Sequence, residues 1–395
     1  MNTGSIHIVN GSIITPQGII EGGSVLIKDG LISSINETIT DEKDAVEIDA
    51  GGMFVSPGFI DIHVHGGGGA DFMDGTEKAF LQVAATHARY GTTSMLPTTL
   101  TSYRDELFNT FHVYETANKK NVAGAKFLGL HLEGPYISIN QCGAQDPQYT
   151  RNPDPKEYKE ILAATNVIKR WSAAPELEGA LEFGKYLTEK GILAALAHTD
   201  AIYEEALKGF ENGYTLATHF YSAMSGVTRR NAFRYAGVIE AAYLIDEMDV
   251  EIIADGVHLP APLLQLVYKI KGAKRTALIT DAMRAAGMPE GESVLGNIDT
   301  GLKVIVEDGV AKLPDRSAFA GSVATADRLV RNMISMAGVS LNEAIEMITQ
   351  TPARILNISH QTGSIKEGLA ADLAIFDSNI NIQLTMINGN VVYKK

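Results

Sequence analysis

The sequence predicts an α/β protein: a TIM-type (β/α)8 barrel carrying a small β-sandwich domain built from both chain termini. Three observations predict it. Eight short apolar runs recur through the middle of the chain, helix-like segments separate them, and both ends read as strands and turns. The division expected is 1–56 with 357–395 for the sandwich and 57–356 for the barrel. A chain of 395 residues also exceeds the roughly 250–300 residues at which one core stops growing.

The N-terminal end shows no helical period. Ile6-His7-Ile8-Val9 runs into Asn10-Gly11, and Ser24-Val25-Leu26-Ile27-Lys28 into Asp29-Gly30 and then Leu31-Ile32-Ser33-Ser34-Ile35. Asn-Gly and Asp-Gly between apolar runs are hairpin signals. Val46–Ala50 and Met53–Val55 continue the pattern. The C-terminal end matches it: Ala371–Phe376 is strand-like, and Leu384–Ile387, Asn388-Gly389 and Val391–Tyr393 form another hairpin. Neither end alone buries a sheet face, so the two are expected to pair.

The eight central runs are Phe59–His65, Thr93–Thr99, Phe127–Glu133, Val167–Pro175, Ile192–Thr199, Thr215–Tyr221, Val250–His258 and Thr276–Asp281, starting 23 to 40 residues apart. Runs apolar on both faces are what buried parallel strands require. The spacing leaves room for a crossover helix, as in Lys78–Tyr90 and Ala201–Asn212, and helical segments also follow the eighth run at Ala324–Ala337 and Leu341–Gln350. Eight such units make a barrel. A doubly wound sheet fits less well, because no Gly-x-Gly-x-x-Gly opens the first helix.

Reactive side chains close these runs: His63 and His65 the first, Glu133 the third, His198 the fifth, His219 the sixth, His258 the seventh and Asp281 the eighth. In a barrel all strands point one way, so their C-terminal ends converge on the catalytic face. His63 and His65, two apart on a strand, project to the same side. Several imidazoles with a carboxylate suit Zn²⁺ or Fe²⁺ rather than the oxygen-seeking Mg²⁺ or Ca²⁺. His7, His87, His112 and His360 are read as surface or supporting residues.

Composition excludes other classes. With 33 basic and 47 acidic residues the chain carries a net charge of −14, the wrong sign for neutralising nucleic-acid phosphates. No apolar run approaches the ~20 residues a membrane helix needs. The single cysteine, Cys142, excludes an internal disulfide and points to a reducing compartment. The expectation is a soluble cytoplasmic protein.

The motifs themselves resemble a known family. Pro57-Gly58-Phe59-Ile60-Asp61-Ile62-His63-Val64-His65-Gly66 is similar to the first metal motif of the amidohydrolase superfamily. Leu130-His131-Leu132-Glu133-Gly134-Pro135-Tyr136, Ala197-His198-Thr199-Asp200, Thr218-His219-Phe220, Ala254-Asp255-Gly256-Val257-His258, Thr280-Asp281-Ala282-Met283 and Ala320-Gly321-Ser322 occur in the order seen in the N-acetylglucosamine-6-phosphate deacetylases. That resemblance covers essentially the whole chain.

It implies that Glu133, His198 and His219 hold one divalent metal ion. It also implies that His63 and His65 match the positions of a second ion, with Glu133 bridging. It implies that Asp281 is the catalytic base and acid, and that His258 donates to the acyl oxygen. Gln145, Ser222, Ala223 and Phe319 fall at substrate-lining positions. Arg230 or Arg234, in the loop after the sixth strand, would meet the phosphate of a phosphorylated amino sugar, in the family often from the neighbouring subunit of a homodimer. Two positions depart from the common pattern: Ser222-Ala223 stands where Asn-Ala is frequent, and Gln145 where several members have His. The end of the fourth run, Ala173-Ala174-Pro175-Glu176, argues against the sister families that place a carbamylated lysine there. The galactosamine epimer, or a barrel without catalysis, are the competing readings.

Overall fold

A computed structural model describes residues 4–38 and 44–395, the side chain of Arg230 excepted. All eight central runs form parallel strands: Phe59–Val64, Thr92–Thr99, Leu130–Glu133, Ile168–Ala173, Leu193–Leu196, Tyr214–Ala217, Asp249–Ile252 and Thr276–Leu278. Each pairs with the next in sequence. The third begins as a separate short piece, Lys126–Phe127, on the same neighbour.

The eighth and first strands meet at their ends through a few specific bonds. The Asp281 N–H donates to the His63 carbonyl and the His65 N–H to that of Ala282, both at 2.9 Å. The buried Asp61 carboxylate accepts from the Thr280 hydroxyl at 2.5 Å. Helices Glu77–Ala88, Arg104–Lys120, Pro155–Ala164, Ala180–Glu189, Tyr203–Glu211, Val238–Leu244 and Ala261–Arg275 fill the seven crossovers, and Ala326–Ala337 follows the eighth strand. Large buried side chains such as Phe59, Phe80, Trp171, Phe183 and Tyr214 pack the barrel.

The two chain ends share one eight-stranded sheet. Leu373–Phe376 from the C-terminal end pairs with Phe54–Pro57 from the N-terminal end. This unit has its own core, including Ile8, Ile13, Val25, Leu373, Ile375 and Met386. Asp29-Gly30 and Asn388-Gly389 turn as expected, each with positive φ at both residues.

Asn10-Gly11 does not turn the chain. The N-terminal strand runs through it, from Ser5 to Thr15, and its register with the following strand, Gly18–Lys28, slips there. Only Asn10 of the pair has positive φ, so the dipeptide is a bulge rather than a type I′ turn. The bulge divides the strand between two partners: its first half pairs with Ala45–Asp49 and its second with Phe54–Pro57. The hairpin turn lies instead between Thr15 and Gly18.

One insertion was not expected. After the eighth strand a three-stranded antiparallel sheet, Gly291–Leu295, Leu302–Glu307 and Val310–Lys312, covers the rim. Its apolar face packs on Met283, Ala285 and Ala320.

Candidate metal centre and active site

The barrel gathers the strand-end residues at one rim. Glu133 is the last residue of its strand, whereas His198, His219 and Asp281 lie two or three residues past theirs. These three share an unusual backbone: φ is 47° at His198, 31° at His219 and 45° at Asp281. Left-handed φ in a non-glycine residue costs about 1–3 kcal/mol and persists only where the surroundings impose it. Here it marks the point at which each chain segment leaves the barrel beside its functional side chain.

Two donor clusters share Glu133. Its Oε1 lies 3.0 Å from His219 Nε2, 3.3 Å from His198 Nε2 and 3.4 Å from His63 Nε2. Its Oε2 lies 3.4 Å from His65 Nε2. The Asp281 carboxylate reaches both members of the second cluster, with Oδ1 at 3.4 Å from His63 Nε2 and 3.2 Å from His65 Nε2.

The imidazole tautomers follow from what the opposite ring nitrogens touch. His198 Nδ1–H donates to the Gln141 carbonyl at 2.7 Å, His219 Nδ1–H to that of Ser222 at 3.2 Å, and His63 Nδ1–H to the Glu251 carboxylate at 3.1 Å. These acceptors hold the proton on Nδ1 and leave the Nε2 lone pairs facing inward. Yet His63 Nε2 and His65 Nε2 are 3.2 Å apart, as are His198 Nε2 and His219 Nε2. Nitrogen lone pairs at that distance repel unless a proton or a cation lies between them. The donor set therefore fits divalent ions, and its nitrogen-rich chemistry suits a borderline metal.

The charges agree. Burial opposes protonation of His63 and His65, but Asp281 and Glu133 carry them up to about 9 and about 10. Burial likewise opposes ionisation of Glu133, yet the surrounding imidazoles hold it well below the usual carboxylate range. Asp281, also against burial, is held at about 2 by His63 and His65.

A cavity of about 440 Å³ opens above the cluster. His65, Glu133, His198, His219, His258 and Asp281 line its floor and walls. Gln145, Ser222, Ala223 and Phe319 line it too. Gln145 also has a partner not foreseen: its Nε2 donates to Glu133 Oε2 at 2.7 Å, and its own oxygen accepts from Thr101 N–H at 2.8 Å and from the Thr101 hydroxyl at 3.0 Å. Gln145 thus orients the shared carboxylate.

His258 sits six residues beyond the end of its strand, Asp249–Ile252. Asp255 brings it back by accepting from the N–H groups of Val257 and His258 and from His258 Nδ1, the last at 2.8 Å. The Phe319 ring packs 4.9 Å from that imidazole.

The arginines lie elsewhere. Thr228–Arg230 and Phe233–Tyr235 form an antiparallel hairpin in which Arg229 pairs with Arg234 and Arg230 with Phe233. Cross-strand partners share a face, so Arg229 and Arg234 point to one side. Both are exposed. Among the described residues the cavity lining contains no lysine or arginine. The side chain of Arg230 is outside the described residues.

Of the four histidines set aside, His112 and His360 are exposed, while His7 and His87 are buried. His87 Nε2–H supports the loop after His65 by donating to the Gly66 carbonyl at 2.9 Å. Three buried residues at the heart of the barrel were not picked out. His131 packs edge-on against His63, with centroids 4.7 Å apart. Arg170 and Glu251 form an ion pair beneath it. A charged residue inside an apolar strand run was the available signal, in Ile168-Lys169-Arg170-Trp171 and in Val250-Glu251-Ile252.

A parallel eight-stranded barrel with a histidine–carboxylate cluster at its C-terminal rim is the architecture of a metal-dependent barrel hydrolase. A sequence model of the amidohydrolase family matches residues 54–392, and the chain belongs to that family. It is 32% identical over 392 residues to the N-acetylglucosamine-6-phosphate deacetylase of Lysinibacillus sphaericus, covering 98% of this chain and 97% of that protein. It is 32% identical over 383 residues to the N-acetylgalactosamine-6-phosphate deacetylase of Escherichia coli O157:H7, covering 96% and 97%. The crystal structure of N-acetylglucosamine-6-phosphate deacetylase from Pasteurella multocida superposes with a TM-score of 0.91 at 29% identity, over 99% of this chain and 100% of that one.

Proposed function

We propose that this protein hydrolyses the N-acetyl amide of N-acetylglucosamine 6-phosphate, giving glucosamine 6-phosphate and acetate. The observation that carries the reading is Glu133 shared between two imidazole pairs on the floor of a cavity that Asp281 and His258 also line. The near full-length similarity to deacetylases of phosphorylated amino sugars supports it.

Glu133, His198 and His219 would hold one divalent ion, and His63, His65 and Glu133 a second; zinc or iron suits these donors. Such an ion lowers the pKa of water toward about 7 and polarises a carbonyl oxygen. Asp281 accepts a proton from the water as its oxygen bonds to the acetyl carbon. Asp281 then returns that proton to the sugar nitrogen as the C–N bond breaks and acetate leaves. His258, oriented by the Asp255 carboxylate at its Nδ1, donates to the acyl oxygen as negative charge develops there. Gln145 keeps Glu133 oriented throughout.

The phosphate requires a cation. We assign it to Arg234, with Arg230 second, reaching the cavity from the partner subunit of a homodimer. The absence of any lysine or arginine from the described lining supports this. A cytoplasmic location belongs to the same reading, as does the lack of nucleic-acid and membrane partners. No helix among the described residues is long and apolar enough to cross a membrane.

A second reading has specific support: the relative that acts on the galactosamine epimer is as similar as the glucosamine one, at 32% identity each. Parallel measurement of acetate release from both 6-phosphates decides. The glucosamine substrate is expected to give the higher kcat/KM, and a higher value for the galactosamine epimer transfers the assignment to it. Release from neither, with ions bound, overturns the proposal.

A further inference from the structure

Arg170 and Glu251 come from the fourth and seventh barrel strands and meet inside the barrel, both fully buried. The guanidinium grips the carboxylate with two parallel bonds, Nη1 to Oε2 and Nη2 to Oε1, each 2.6 Å. Its remaining bonds reach two more strands and its own: Nη1 donates to the Ile62 carbonyl of the first strand at 3.0 Å, and Nη2 to the hydroxyl of Thr218, just past the sixth strand, at 2.7 Å and weakly to that of Ser172 on the same strand as Arg170 at 3.5 Å.

Stability explains this pair poorly. Removing two charges from water costs several kcal/mol per ion, and a well-packed apolar pair of similar volume is often as stable or more so. Glu251, however, makes bonds beyond Arg170 that an apolar residue cannot: its Oε1 accepts weakly from the His219 backbone N–H at 3.4 Å, and it holds one ring of the second cluster. Its Oε1 accepts from His63 Nδ1 at 3.1 Å. An ionised carboxylate only accepts, so the proton is fixed on Nδ1 and the Nε2 lone pair is aimed at Glu133 and His65.

The two donor clusters differ in this respect. His198 and His219 are oriented by neutral backbone carbonyls. His63 is oriented by a carboxylate, which also makes an imidazole a stronger ligand. His65 Nδ1 is buried with no partner of its own, so orientation of the second cluster falls to His63. Asp61 supports it only through the backbone, accepting from the His63 N–H at 3.3 Å.

We infer that Glu251 and Arg170 are positioning residues for the second cation: Glu251 sets His63 as a ligand, and Arg170 holds Glu251 in place. The pair would then determine whether this chain binds one ion or two. The inference rests on the proposed metal-dependent reading of the site.

The test uses the full chain, stripped of metal and titrated with Co²⁺, following the visible spectrum and the heat. The wild type is expected to show two binding phases. His63→Asn identifies the second of them by abolishing it. Glu251→Gln should weaken that same phase by about 10–100-fold and leave the first unchanged. Arg170→Met combined with Glu251→Leu removes both charges together and should lose the second phase while keeping the first, which shows that the barrel is folded.

Two phases at wild-type affinity in Glu251→Gln, or in the double variant, overturn the inference. So does loss of both phases in every variant, which makes the pair a folding element. A wild type with one phase insensitive to His63→Asn also overturns it. Acetate release by such a one-ion protein leaves the proposed function standing. Two phases that respond as expected, in a protein that releases no acetate, defeat only the function.

Discussion

The backbone N–H of Asp281 donates to the carbonyl oxygen of His63 at 2.9 Å, at the point where the last barrel strand meets the first. The same two residues approach through their side chains, Oδ1 to Nε2, at 3.4 Å. The closing seam of the fold and the candidate site are therefore one place. Residues 218 positions apart in sequence are held there by a backbone bond that does not depend on their side chains.

That separation makes Asp281 testable without disturbing the seam. Asp281→Asn keeps the backbone bond and the side-chain volume but removes the proton acceptor. Ion content by elemental analysis should stay at the wild-type level, while kcat for acetate release should fall by about 10²–10⁴-fold. Turnover within a few-fold of wild type removes Asp281 from the reaction.

The seam itself carries a stability prediction. Asp61 is fully buried, and burial lifts its carboxyl to about 7 against the bonds it accepts from Thr280 and from the His63 N–H. Thr280→Val deletes the hydroxyl that donates to Asp61 at 2.5 Å with little change in shape. An abandoned buried acceptor costs about 1–3 kcal/mol. Urea denaturation should show a lower midpoint with an unchanged slope, and an unshifted midpoint contradicts the role given to this bond.

Sequence periodicity made the barrel legible because its strands are buried on both faces, and the positions of His63, Glu133, His198, His219 and Asp281 made the rim legible. Asn10-Gly11 misled because the same dipeptide serves a bulge when only its first residue is left-handed. Asp308-Gly309, by contrast, turns with positive φ at both positions in the sheet that was not foreseen. Arg170 and Glu251 were visible as charges inside strands, but their pairing was not, since 81 residues separate them and only closure of the barrel brings them together.

Proton competition gives a pH prediction. In the ion-free chain His63 is carried to about 9 and His65 to about 10, both above their ordinary 6.5. A raised folded value means that the associated stability is complete below pH 6.5 and fades as pH rises through 9 to 10. Cations must displace the same protons. Filling the site at pH 7 should therefore release protons, and filling it above pH 10 should release almost none. Calorimetric titrations in two buffers of different ionisation heat count them; identical heats at pH 7 contradict this account.

Arg234 carries the prediction about the phosphate. Arg234→Ala should raise KM for the 6-phosphate by roughly 10–100-fold, from the loss of a charge-assisted bond worth about 1.5–3 kcal/mol. The unphosphorylated sugar should be turned over no differently from wild type. If the Arg234→Ala protein keeps its KM for the phosphate ester, the hairpin arginine that matters is another one.

The central claim is that Glu133 is shared between two cations at the barrel rim, and anomalous diffraction at a metal absorption edge reads it directly. Crystals grown with Zn²⁺ should give two peaks per chain, one among Glu133, His198 and His219 and one among Glu133, His63 and His65. A single peak at the first position confines the chemistry to one ion. A rim without any peak, in crystals that release acetate from the substrate, contradicts the account.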